Sequence, residues 1–134
     1  MPKHSSISHI VVHCSDTPNN REHTAADIDR WHKERGWDRI GYHYVIRRSG
    51  LIEAGRDESE IGAHVKSHNT GSIGICLIGK DDFTDPQNSA LNKLLRDLLS
   101  RYQHAKILGH RDLDPHKTCP NFDVGAWVRQ RGIA

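Results

Sequence analysis

Two donors of the kind zinc favours, an imidazole at His110 and a thiol at Cys119, lie in one short stretch. It reads Ile107-Leu108-Gly109-His110-Arg111-Asp112-Leu113-Asp114-Pro115-His116-Lys117-Thr118-Cys119-Pro120. Beyond its first apolar pair the stretch is polar, so its side chains face water or one another rather than a core. Pro115 and Pro120 restrict the backbone around Lys117 and Cys119. Such stiffening suits a site that must hold ligands at about 2.0–2.3 Å from an ion. Two donors do not complete a zinc site. His13 offers a third, at the end of the apolar run Ile7 to His13. Three protein ligands plus water is the arrangement of catalytic zinc, whereas structural sites close with four, and no Cys-x-x-Cys pair is present. Spacing alone does not separate a converging triad from three scattered residues.

The elements around these residues decide whether they can meet. Ile7 to His13 reads as a central strand buried on both faces, with His13 at its carboxyl end, where ligands of open α/β sheets commonly sit. Thr24 and Asp27 predict a helix start and Gly36 its stop, with Ile28 and Trp31 on the inner face. By that spacing His32 is expected on the exposed face, and Trp31 and Trp37 in packing. Tyr42 to Ile46 and Leu51 to Ala54 predict a hairpin turning at Ser49-Gly50. His43, next to Tyr42, is expected on the other strand face in a structural role. Residues 55 to 71 have no clear periodicity and read as a long polar surface loop.

Ser72 to Gly79 predicts another inner strand. Thr84-Asp85-Pro86-Gln87 opens the best amphipathic helix, carrying Leu91, Leu94, Leu95, Leu98 and Leu99 at helical spacing. Ile107-Leu108 predicts a short last strand, and Asp123 caps a final helix with Val124, Trp127 and Val128 inward. The order β-α-β-β-β-α-β-α predicts a mixed α/β (α+β) fold, one central mixed sheet flanked by about three helices.

Composition narrows the function classes. The 134 residues, 35% hydrophobic and 27% charged, suit one globular domain over 1–134, with residues 1–6 a flexible N-terminal segment. A net charge of +2 gives no case for nucleic acid. No run approaches the roughly 20 apolar residues of a membrane span, and the N-terminus lacks the apolar core of a signal peptide. A cytoplasmic protein with reduced thiols is expected. Cys14 and Cys76 lie in apolar runs and read as small buried hydrophobes.

Several blocks resemble one known family, in order from about Ile10 to Trp127. They are Val12-His13-Cys14-Ser15, Trp31-His32-Lys33-Glu34-Arg35-Gly36-Trp37, Gly41-Tyr42-His43-Tyr44, Glu53-Ala54-Gly55-Arg56-Asp57-Glu58, Ser72-Ile73-Gly74-Ile75-Cys76-Leu77 and Lys117-Thr118-Cys119-Pro120. They are similar to the bacteriophage lysozymes of the N-acetylmuramoyl-L-alanine amidase type, relatives of the peptidoglycan recognition proteins. The resemblance implies that fold and a zinc-dependent endolysin. Such an enzyme cuts the amide between N-acetylmuramic acid and L-alanine in bacterial cell walls, using water activated by one Zn²⁺ per chain.

Position by position, it implies His13, His110 and Cys119 as zinc ligands and Tyr42 and Lys117 as catalytic residues. The His110 to Cys119 loop looks one residue longer than in close phage enzymes, which leaves His116 as a second candidate for the oxyanion role of Lys117. His64 matches a family position near the zinc. With Lys66 and Arg56, it is expected at the substrate, whose stem-peptide carboxylates a cation can pair. The implied setting is a monomer in the host cytoplasm that reaches peptidoglycan through a separate permeabilising partner. Two alternatives stand beside this. One is a peptidoglycan-binding module without catalysis, although such relatives lack the cysteine ligand. The other is a second role as inhibitor of a phage RNA polymerase.

Overall fold

A computed structural model describes residues 6–133. The segment expected to be flexible, residues 1–6, lies outside the described residues apart from Ser6. The elements run β1 (His9–Cys14), α1 (Ala25–Glu34), β2 (Tyr44–Ile46), β3 (Ile52–Ala54), β4 (Ser72–Leu77), α2 (Asp85–Arg101), β5 (Lys106–Gly109), α3 (His110–Leu113) and α4 (Val124–Gln130). The five strands form one mixed sheet in the order β3-β2-β4-β1-β5, with β3 antiparallel on the edge and the other pairings parallel.

The run Ile10-Val11-Val12 makes β1 a central strand because it is apolar on both faces, and all three residues are fully buried. Ile10 and Val12 join the larger core, with Ile73, Ile75 and Leu77 of β4, the leucines of α2, and Val124, Trp127 and Val128 of α4. Ile28 of α1 closes the other face against Ile40, Val45, Cys76 and Ile78. Alternation along β1 therefore turns His13 toward the α1 side. In α2, Leu91, Leu94, Leu95 and Leu98 are buried, each contributing about 1.5–3 kcal/mol.

Both predicted helix starts are capping boxes, Thr24 with Asp27 and Thr84 with Gln87. Gln87 does more: its Nε2 donates to the carbonyls of Ile46 and Ile78 at 3.2 and 2.8 Å, tying α2 to the ends of β2 and β4. Gly36 stops α1 with a φ of +87°, the left-handed conformation glycine adopts at no cost.

Five departures from the sequence reading bear on how the site is framed. Strand β1 starts and ends later than Ile7 to His13, so His13 is its second-last residue. The second strand begins at Tyr44 rather than Tyr42. There a side chain joins the backbone bonding: His43 N–H donates to the Gly74 carbonyl at 2.9 Å, Gly74 N–H donates to His43 Nδ1 at 3.0 Å, and His43 Nε2 donates to the Glu60 carbonyl at 2.7 Å. That is the structural role expected of His43. The stretch from Gly55 to Gly71 is irregular, yet Arg56, His64 and Val65 are buried within it, so it is not a surface loop throughout. A fourth helix, α3, fills what was read as loop; four residues are too few to show a helical period.

The fifth departure is His32, which is 6% exposed rather than on a wet face. The chain returns over α1 after Gly36, and Gly41 N–H donates to His32 Nδ1 at 2.9 Å. Burial, followed by the charges of Arg35 and Arg56, lowers the His32 pKa to about 4. A histidine in the unfolded chain takes up its proton near pH 6.5. Between the two values the unfolded state holds more protons, so stability falls as pH drops from about 6.5 to about 4 and levels off below. The expected loss from this group is at most about 3 kcal/mol. His32→Asn, which keeps an acceptor for Gly41, should remove that part of the slope. Denaturant unfolding of both proteins between about pH 7 and pH 4 measures it; parallel slopes would show that His32 titrates as an ordinary histidine.

Candidate metal centre and its groove

Strand pairing brings the first two donors together. The parallel register of β1 on β5 sets Val12 opposite Gly109, so the next residues, His13 and His110, are neighbours. His110 opens α3 directly after β5, and the Gly109 N–H in front of it donates to Asp112 Oδ2 at 2.8 Å. Cys119 is returned to the same place by two backbone bonds. Arg111 N–H donates to the Cys119 carbonyl at 2.8 Å, and Cys14 N–H donates to Cys119 Sγ at 2.8 Å. The neighbouring Cys14 thiol and then burial push the Cys119 thiol up; this N–H bond opposes them, and a bound cation would hold the sulfur as thiolate.

The donor set fits a zinc ion. One ligand atom from each of His13, His110 and Cys119 lies within 4.8 Å of the others. His13 Nδ1 and His110 Nδ1 are 3.1 Å apart. Two nitrogens about 2.1 Å from one tetrahedral ion would be separated by about 3.4 Å, close to what is observed. His13 is 1% exposed; burial, then the neighbouring His64 and His110, hold its pKa well below the usual range. Burial also lowers His110, against an opposing pull from Asp114. Both imidazoles are thus neutral, the form that binds metal. Cys14 and Cys76 are buried free thiols outside the triad. Burial pushes the Cys76 thiol well up, so it stays neutral.

His110 and Cys119 line a groove of about 760 Å³. Tyr42 stands just before β2 with its ring 5.1 Å from that of His13. Burial raises its pKa well above that of an ordinary tyrosine, so the hydroxyl remains a proton donor. Lys117 and His116 are both exposed on the groove, Lys117 with its backbone N–H bonded to the Asp114 carbonyl at 3.0 Å. Lys66 is exposed on the groove, which Ala63, His64, Val65 and Asn69 also line.

Two expected substrate contacts are placed otherwise. Arg56 is 6% exposed and does not line the groove; its Nε and Nη1 donate to the carbonyls of Ile40 and Ile61 at 2.8 and 2.7 Å, bracing two loops. His64 reaches the groove wall, but its Nδ1 lies 2.9 Å from His13 Nε2 and its Nε2 lies 3.2 Å from Ser72 Oγ. Both ring nitrogens are engaged inside the protein. Trp37, expected in packing, packs on the His32 ring at 4.4 Å between centroids yet stays 40% exposed on the groove, with Arg35 over its ring at 5.9 Å. Its place directly after the Gly36 stop was the available signal, since a large aromatic in a polar loop has no core to enter.

Residues 3–122 match the family described as N-acetylmuramoyl-L-alanine amidase. The endolysin of Enterobacteria phage K11 is 44% identical over 95% of this chain and 89% of its own. The endolysin of Klebsiella phage KP32 is 43% identical over 93% and 87%. Among solved structures, the N-acetylmuramoyl-L-alanine amidase LysC from Clostridium intestinale URNW superposes with a TM-score of 0.85 at 30% identity, covering 100% of this chain and 92% of that one.

Proposed function

The chain belongs to the N-acetylmuramoyl-L-alanine amidase family, and on that premise we propose that it is a zinc-dependent endolysin cutting the bond between N-acetylmuramic acid and L-alanine in bacterial peptidoglycan. The observation that carries this reading is the convergence of His13, His110 and Cys119, two of which, His110 and Cys119, line an open groove. Three protein donors leave a coordination position for water or substrate, as in catalytic rather than structural sites.

His13, His110 and Cys119 would hold one zinc per chain. When bound, zinc supplies a Lewis acid for the scissile carbonyl and lowers the pKa of water toward about 7. The chain's own residues do the rest. Two neutral imidazoles and one thiolate would leave a bound zinc ion net positive; during hydrolysis the scissile carbonyl oxygen gathers negative charge as water adds. Lys117, a cation on the groove beside His110, stabilises that charge. The protonated Tyr42 hydroxyl positions the attacking water or donates toward the leaving amine. Lys66, exposed on the groove, pairs with carboxylates of the peptide stem. The enzyme would gather in the host cytoplasm and reach the wall once a separate partner opens the membrane.

Incubation with purified peptidoglycan tests this directly. New amino-terminal L-alanine should appear in step with loss of turbidity. Tight binding with no new amino termini would make the chain a recognition module instead.

A further inference from the structure

His64 contributes no ligand to the triad, yet it is 9% exposed with its ring packed behind His13. The fold makes room for that ring at some cost in side chains. A Cβ on Gly74 would lie 2.6 Å from His64 Cγ, and one on Gly62 would lie 2.8 Å from His64 Cδ2. Neither glycine has a left-handed φ; Gly74 leaves its space to the His64 imidazole, while Gly62 also makes room for the Gly41 carbonyl, 2.7 Å from such a Cβ, and the His43 ring. The His64 backbone is also pinned, since the Asn69 side chain accepts from the N–H groups of His64 and Val65, both at 2.8 Å.

The direction of the hydrogen bonds through this ring is determined from the far end. Ser72 Oγ lies 2.8 Å from the His68 carbonyl and 3.0 Å from the Asn69 carbonyl, which only accept. The Ser72 proton therefore goes to a carbonyl, and Oγ can only accept from His64 Nε2 at 3.2 Å. With one proton on each ring, His64 Nδ1 then accepts from His13 Nε2–H at 2.9 Å. His13 is left with its lone pair on Nδ1, the nitrogen that faces His110 Nδ1.

We propose that His64, backed by Ser72, is a positioning residue of the metal centre: it holds the proton of His13 on Nε2 and so presents Nδ1 to the ion. Outer partners of this kind set both the tautomer and the orientation of a ligating histidine. The inference rests on the metal-centre reading and deepens it. Loss of such a partner typically weakens metal binding by about 10–100-fold.

Competition with a chromophoric chelator gives the zinc affinity of the wild type, His64→Ala, His64→Asn and Ser72→Ala. His64→Ala should bind zinc about 10–100-fold more weakly. His64→Asn sets an amide oxygen near the place of Nδ1 and should recover most of that loss, although it does not restore the ring. The absorption of the cobalt-substituted proteins should follow the same order, displaced in the Ala variant and close to wild type in the Asn variant. Unchanged zinc affinity in His64→Ala overturns the proposal, as does an Asn variant as weak as the Ala one, which would mean that only the bulk of the ring matters. Should His64→Ala fail to fold, Ser72→Ala decides: weaker zinc binding at an unchanged melting temperature supports the relay, and wild-type affinity refutes it. A wild type that binds no zinc is a different outcome, since it removes the metal centre itself.

Discussion

Cys119→Ala should lose bound zinc and wall-lytic activity together, whereas Cys14→Ala and Cys76→Ala should keep both. All three side chains are thiols, so the prediction depends on where each one sits. Cys119 Sγ belongs to the cluster with His13 and His110. Removing a direct ligand should weaken zinc binding by more than the roughly 10–100-fold typical of outer partners. Cys14 touches the site through its backbone N–H, which donates to Cys119 Sγ and which alanine keeps, and through its thiol, which lies beside that of Cys119 but is not one of the three donors. Cys76 is fully buried against Ile28, Val45 and Ile78. Each of these two variants should cost only about 1 kcal/mol of packing. Metal analysis and amidase assays on the three purified variants check this. Retention of tightly bound zinc by Cys119→Ala with loss from Cys14→Ala would mean that the third ligand is misassigned.

Lys117→Ala and Tyr42→Phe should do the opposite, keeping zinc and losing turnover. Neither side chain is one of the three donors. Lys117 is exposed, so its removal leaves no buried hole and the fold should be unaffected. Removing a group that stabilises a developing oxyanion costs about 10²–10³-fold in rate. Tyr42→Phe deletes only the hydroxyl, and loss of a proton-transfer group costs about 10²–10⁴-fold. His116→Ala is the control on the neighbouring groove residue and should stay near wild type. Steady-state rates with zinc content measured alongside separate the cases. A dead His116→Ala beside a near-normal Lys117→Ala would move the oxyanion role one residue along the loop.

The parts of this fold readable in the sequence are those that depend on local pattern. Ile10-Val11-Val12, the leucines of α2 and the Thr24 and Thr84 caps each carry their signal within a few residues. Of the candidate metal donors, His110 and Cys119 stood out as an imidazole and a thiol in a proline-bounded polar loop, whereas their meeting with His13 was implied by the resemblance and depends on the register of β1 on β5. What stayed hidden was set by contacts between distant segments. His32 is buried because Gly41 folds back to it, and Arg56 is buried because Ile40 and Ile61 offer it carbonyls. His64 could be placed near the metal by resemblance. Its engagement with Ser72, and the space left by Gly62 and Gly74, exist only once β4 lies beside β1. Helix α3 was missed because its only local mark is Asp112, three residues after Gly109.

The central claim is that one zinc held by His13, His110 and Cys119 is required to open the amide bond. Its most direct test measures metal content, melting temperature and release of amino-terminal L-alanine from peptidoglycan on the same preparation. These are read before chelation, after exhaustive chelation, and after one equivalent of zinc is returned. Expected are one zinc per chain at the start, then loss of release with a lower melting temperature, and recovery of both on adding zinc. Full release by protein in which no metal can be detected would contradict it.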